Sequence, residues 1–268
     1  DGMEGIIHPL NDQWMMGSWQ FGGRNRTMDG GQSREPLQAG GSSDWVAPLL
    51  YDHLDPMRIY HFSNKLYVSD NFGTDWEELA DHGAGATKVA AISEKSPKSI
   101  VIARNSKLEL SEDGGKTFNN IATGLPGHSV TDVAFDPNND QTIVVTYNRY
   151  QKDGEKVFIS HDKGKTWKNI TYNLDNMPIR SVVVDHTNKS NIYLGAEIGV
   201  YVKAMTDTIW RLYNPGLPNV TVRDLEIQYG SNRIKAATWG RGLWEFVLDG
   251  RAKYPSVLTT NITEPPTT

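Results

Sequence analysis

The chain holds 268 residues, with 27 Lys and Arg against 32 Asp and Glu for a net charge of −5, and 38% of it is hydrophobic. That balance, with no basic run or arm, speaks against a nucleic-acid partner, and no apolar stretch approaches the ~20 residues that span a bilayer. The absence of cysteine fits a bacterial exported protein and argues against a disulfide-stapled animal ectodomain.

Taken in chain order, the predicted elements repeat. Gly5 to Ile7 and Trp14 to Trp19 are short apolar runs joined by a turn, His8-Pro9-Leu10-Asn11-Asp12, and Thr27-Met28-Asp29-Gly30-Gly31 follows them. Leu49 to Tyr51 and Arg58 to His61 come next, ahead of Ser69 to Trp76, which reads S-D-N-F-G-T-D-W. Val89 to Ile92 and Ile100 to Ala103 precede Ser111 to Phe118, S-E-D-G-G-K-T-F. Val130 to Phe135, the turn Asp136 to Asp140 and Thr142 to Tyr147 precede Ser160 to Trp167, S-H-D-K-G-K-T-W. Ile179 to Val184 and Ile192 to Gly195 lead to Lys203 to Trp210, where only the final Trp of the octapeptide survives. Val222 to Ile227 and Arg233 to Trp239 close the series, and no octapeptide follows it before Leu248. Short, β-branched, turn-bounded runs are strands, and no long 3.6-residue periodicity is present.

The spacing turns these runs into an architecture. Starts at Thr27, Ser69, Ser111, Ser160 and Lys203 are 42, 42, 49 and 43 residues apart. That matches the roughly 40–45 residues of a four-stranded propeller blade. The longer interval is an insertion near Tyr150 to Glu155 in one hairpin. The fold class expected is all-β, a β-propeller of four-stranded antiparallel blades, with about six blades over residues 1–248 as part of a larger propeller. Residue 1 is Asp and the last repeat has three strands, so both ends read as cut. Residues 249–268 include the Thr/Pro-rich stretch Ser256 to Thr268 and read as a linker or tail.

The shared octapeptide, S-x-D-x-G-x-T-[WF], resembles the Asp-box (BNR) repeat of secreted β-propellers. Each of its residue types suits a tight hairpin. The acid accepts backbone N–H bonds, Gly supplies positive φ, and the terminal ring packs between sheets. Ser69, Asn71, Gly73 and Trp76, then Ser111, Asp113, Gly115 and Phe118, then Ser160, Asp162, Gly164 and Trp167 are therefore structural. Asp113 and Asp162 read as turn residues rather than catalysts. Asp136, Asn138 and Asp140 read as a turn rather than a Ca²⁺ site. Gly17 to Gly23 and Ala237 to Glu245, with Asp1 to Glu4 and the His8 turn, extend the likeness. They resemble the large sortilin-like propeller proteins exported by Bacteroidetes-type bacteria. The resemblance implies a secreted or cell-surface location and a removed sorting domain for type IX secretion beyond the tail. Relatives by fold divide into sugar-cleaving enzymes and peptide- or protein-binding receptors.

If the octapeptides mark one rim, ligand chemistry belongs on the other. The loops there collect Trp19, Arg24, His61, Arg104, Tyr147, Arg149, Arg180, Glu197, Trp239 and Arg241. Aromatic planes stack on sugar rings and Arg forks grip carboxylates. Trp19, Trp239 and Trp244 could equally fill gaps between blades. A sialidase-like set of Arg104, Arg180 and Arg241 with Tyr147 and Glu197 can be written down, although the Arg-Ile-Pro segment is missing. A xyloglucanase-like pair of carboxylates has only Glu197 and Asp44 as candidates. No metal-ligand or cofactor motif appears, so neither is expected. Two functions remain: a surface binding module for a glycan, peptide or protein, or part of a glycoside hydrolase. Partners could include the N-terminal part of the same precursor or other subunits of a surface assembly.

Overall fold

A computed structural model describes residues 2–37, 40–83, 85–152, 154–187 and 190–248. The tail expected over residues 249–268 lies outside the described residues. Six antiparallel sheets follow one another along the chain, each a meander. The first is β1 (Gly2–Ile7), β2 (Met15–Trp19), β3 (Arg24–Thr27) and β4 (Glu35–Leu37), and the second β5 (Leu49–Tyr51), β6 (Ile59–Phe62), β7 (Lys65–Ser69) and β8 (Glu77–Asp81). The third is β9 (Val89–Ile92), β10 (Ile100–Arg104), β11 (Lys107–Ser111) and β12 (Asn119–Asn120). The fourth is β13 (Val130–Asp136), β14 (Asn139–Tyr147), β15 (Val157–Ser160) and β16 (Lys168–Asn169). The fifth is β17 (Ile179–Val184), β18 (Ile192–Ala196), β19 (Gly199–Lys203) and β20 (Arg211–Leu212), and the sixth β21 (Val222–Gln228), β22 (Arg233–Thr238) and β23 (Leu243–Val247). These are the blades of a six-bladed propeller. No helix of the described residues is long and apolar enough to cross a membrane.

Why these strands bury themselves follows from their place between sheets. A blade is covered on both faces, so its middle strands read as unbroken apolar runs rather than alternating ones. In β14, Ile143, Val145 and Tyr147 pack toward the third blade, whereas Val144 packs toward the fifth. Five apolar clusters result, each joining one blade to the next. The core is thus a series of inter-blade seams rather than one interior. Nothing of this kind joins the sixth blade to the first among the described residues.

Strand direction fixes the two rims. Each inner strand runs toward the end that carries its first turn, so that turn and the hairpin between third and fourth strands share a rim. Loops between second and third strands, and connections to the next blade, share the other. All three complete octapeptides occupy the hairpin rim. Ser111 Oγ bonds Asp113 Oδ1 at 2.8 Å and accepts the Gly115 N–H at 2.8 Å. Asp113 accepts N–H groups from Lys116 and Thr117 and the Thr117 hydroxyl. Asp162 repeats this with Ser160 and Thr166, and Asp29 with Thr27 and Ser33. In the second blade, Asn71 takes the acid's place and Asp75 receives its amide. The terminal rings reach back to the preceding blade, where Trp167 Nε1 donates to Ile121 O and Trp210 Nε1 to Ile170 O.

Candidate ligand-binding face

The hairpin rim is chemically spent. Hydrogen bonds from Thr117 and Thr166 hold the Asp113 and Asp162 carboxyls down to about 2. Both oxygens of each carboxylate already accept a donor from within their own turn. The Asp136 turn is likewise structural: Asp136 accepts the Asn138 N–H and the Ser190 hydroxyl, and Asp140 pairs with Lys163. A cavity of about 360 Å³ opens on this rim beside Arg58, Lys98, Asp113 and Lys116. Arg58 there is paired with Asp70, and Tyr60 is buried, so the cavity offers no aromatic platform.

The opposite rim differs. Trp19, Phe21 and Trp45 are 43%, 63% and 49% exposed, and Tyr150 is exposed on the loop after β14. Trp239, on the loop after β22, is 73% exposed, with the Arg223 guanidinium 5.6 Å from its ring centre. Phe21 meets Trp45 edge to face at 5.3 Å, and its N–H donates to Trp45 O. The loop carrying Phe21 is a short 3-10 turn, Gln20–Gly22, in which Phe21 takes φ 61°, left-handed and costly for an aromatic residue. Gly23 lets the Trp19 indole lie against the backbone, because a Cβ there would fall 2.2 Å from Trp19 Nε1.

Four residues expected on this face turn inward, which corrects the sequence reading. Arg24 is 2% exposed, and His61, Arg104 and Tyr147 are buried. Their strand positions aim them between blades instead of out of the loops. Arg24 lies over the Trp76 ring and reaches His61 Nε2 at 2.8 Å. Arg104 donates to Glu109 and to His82 O, and Tyr147 packs on Phe158 with its hydroxyl pushed up by burial. The sialidase-like set therefore does not assemble: its first Arg is consumed by Glu109 and its Tyr belongs to the core. Arg180 does reach the face, where Glu197 accepts from it at 3.0 Å and from the Thr221 hydroxyl at 3.1 Å. Asp44 pairs with Lys88 at 3.2 Å and accepts the Trp45 N–H, which lowers its carboxyl. Arg149 and Arg241 sit on loops of this rim. Trp244 is half-buried and packs into the seam between fifth and sixth blades.

Two features were not anticipated. A repeated bulge sits where the inner strands begin, between Val130 and Asp132, Ile179 and Ser181, and Val222 and Asp224. It re-aims Arg180 to Glu197 and Arg223 to Trp239 on the open rim, and turns Thr131 to Ile179 O of the next blade. Aligning V-T-D-V, I-R-S-V and V-R-D-L would have revealed it. The second feature is the axis, lined by Glu4, Glu94, Asp132, Asp224 and Glu226. These groups keep some accessible surface, yet protein atoms crowd around them. Desolvation and then the neighbouring Asp224 push Glu4 and Glu226 up to about 7, and burial raises Asp132 and Asp224. Tyr229, its ring tilted 31° against His186, donates to Glu94 across the axis from sixth blade to third. The axial acids come from different blades, so no local motif announces them. No group of three or more His, Cys, Asp or Glu among the described residues is arranged to hold a metal.

Comparison with known proteins agrees with the fold. No described family and no curated protein matches the chain. Among solved structures, an ancestral GH74 enzyme aligns with a TM-score of 0.73 at 15% identity, covering 93% of this chain and 37% of that one. The GH74 xyloglucanase from Xanthomonas campestris aligns at 0.70 and 14%, covering 91% and 43%. YCF48 bound to D1 peptide aligns at 0.61 and 14%, covering 94% and 83%. The chain thus spans well under half the length of these GH74 structures. At such identities the likeness defines a class, the β-propellers.

Proposed function

We propose that this chain is the binding propeller of an exported, surface-displayed bacterial protein, holding a glycan chain on the rim opposite the octapeptide hairpins. One observation carries the reading. That rim exposes Trp19, Phe21, Trp45, Tyr150 and Trp239, and its two candidate catalytic acids, Asp44 and Glu197, are held by Lys88 and Arg180. Aromatic planes that stay in water are suited to stacking sugar rings. Carboxylates locked to cations are poorly placed to move protons. The Asp-box and sortilin-like resemblance supports export. YCF48 bound to D1 peptide shows that a propeller of this shape can engage a partner.

A second reading, part of a glycoside hydrolase, is favoured by the axial acids. Glu4 and Glu226 hold protons near neutral pH, as a general acid must, and the GH74 structures share the fold. A glycan array combined with a reducing-end assay separates the two. Binding that weakens in Trp45→Ala, with no new reducing ends, supports the binding propeller. Turnover lost in Glu226→Gln, Glu197→Gln or Asp44→Asn would replace it with the hydrolase.

A further inference from the structure

Between first and second blades the rim has a buried cation as its floor, Arg24, with no counter-charge for it among the described residues. Arg24 opens β3 from inside the seam, with its Nε and Nη2 donating to Gly22 O and its Nη2 also meeting His61 Nε2. Trp76 lies beneath it. Among the described residues no carboxylate pairs with Arg24, and its buried Nη1 has no hydrogen-bond partner. Arg26, two residues along the same face of β3, shows what satisfaction looks like: Glu35, Phe72 O and the Thr74 hydroxyl all accept from it. Buried charges in proteins are normally paired, because an unpaired one forfeits its hydration without repayment. Burial lowers Arg24 to about 10, and burial with Arg24 alongside lowers His61 to about 2.

Above this floor stand the exposed rings of Trp19, Phe21 and Trp45. The loop between floor and solvent, Gln20 to Gly23, carries the strained Phe21 and a glycine at φ 77°, Gly22. Two main-chain N–H groups here are already paired, Trp19 with Gly23 O at 2.8 Å and Phe21 with Trp45 O at 3.2 Å, so neither is open to a peptide. A sugar ring needs only the aromatic faces and, for charge, the guanidinium.

We infer that this stretch of the rim takes a carboxylate-bearing sugar, a uronic-acid residue of a polysaccharide, with its ring against Trp19, Phe21 and Trp45 and its carboxylate on Arg24 once the Gln20–Gly23 loop lifts. The inference rests on the glycan-binding reading above and names the substrate class for that face. One guanidinium beside aromatic faces suits a sugar ring that bears one carboxylate. A forked guanidinium also recognises a carboxylate through two parallel bonds.

The test is calorimetric titration of the full chain with a panel of oligouronates and with the same oligosaccharides after carboxyl reduction. At least one uronate should bind about tenfold or more tightly than its reduced form, and added salt should narrow that gap. Arg24→Met should abolish the preference while retaining binding of the reduced sugar. Should that variant fail to fold, the wild-type comparison still decides, supported by a shift of the His61 ring resonances that only the acidic sugar produces. Equal affinity for acidic and reduced forms would overturn the uronate inference and leave glycan binding standing. Failure of both forms to bind, or capture of a peptide carboxylate instead, would overturn both.

Discussion

Gly114 and Gly115 are neighbours in one hairpin and both hold positive φ, 79° and 94°. They differ in what surrounds them. A Cβ on Gly114 would meet nothing within 4 Å, whereas one on Gly115 would sit 2.4 Å from Leu66 of the preceding blade. Gly114→Ala should therefore cost only backbone strain, about 1 kcal/mol, and Gly115→Ala about 3 kcal/mol once overpacking is added. Urea unfolding of the two variants checks this, and equal costs would show that the inter-blade approach is unimportant. The need for glycine at the fifth octapeptide position was legible because a hairpin demands it locally. That it also admits the neighbouring blade was not, since Leu66 lies far away in sequence. Arg24 teaches the same lesson in reverse. Its charge suggested a loop residue at work in solvent, but its parity on β3, shared with Arg26, aims it into the seam.

At the scale of the element, the octapeptide is a self-contained network, and its replacement in the fifth blade shows what the hairpin needs. There Lys203 Nζ donates to Ala204 O and Met205 O and lies 5.4 Å from the centre of the Trp210 ring. Lys203→Ala would strand those carbonyls and uncover the ring, and should lower stability by about 2 kcal/mol in chemical denaturation. No loss would mean that the hairpin is held by Trp210 alone. The intact hairpins also set an acid limit. Asp29, Asp113 and Asp162 are held to about 2 from the usual 3.8, so their contribution is present above pH 4 and lost as pH falls through about 2. Asp162→Asn should shallow that acid transition when circular dichroism is followed with pH. The strands and hairpins were readable because period, turn residues and ring recur every forty-odd residues. The bulges at Thr131, Arg180 and Arg223 were not read, because their signal is a shift of register rather than a residue type.

For the whole molecule, the axis and the seams oppose one another. Five apolar seams join consecutive blades, while Glu4, Asp224 and Glu226 bring like charges together where the sixth blade approaches the first. Glu4 and Glu226 titrate near 7 when folded against a usual 4.5, so the folded state binds the extra protons. Their stabilising effect is complete below pH 4.5 and is lost as pH rises through 7. Thermal midpoints should fall across that window, and Glu226→Gln should flatten the fall; an unchanged slope would mean these carboxyls do not govern the axis. Deuterium exchange should be slowest in β14 and β18, which have blades on both sides, and fastest in β1 and β23. Ligand should meet the aromatic rim and not the hairpin rim, which hydroxyl-radical footprinting of the full chain, with and without a bound oligosaccharide, can distinguish. Protection should concentrate on Trp19, Phe21 and Trp45, with Phe118 and Trp167 unchanged. Protection at the Asp113 and Asp162 hairpins, with the aromatic rim still open to oxidation, would contradict it.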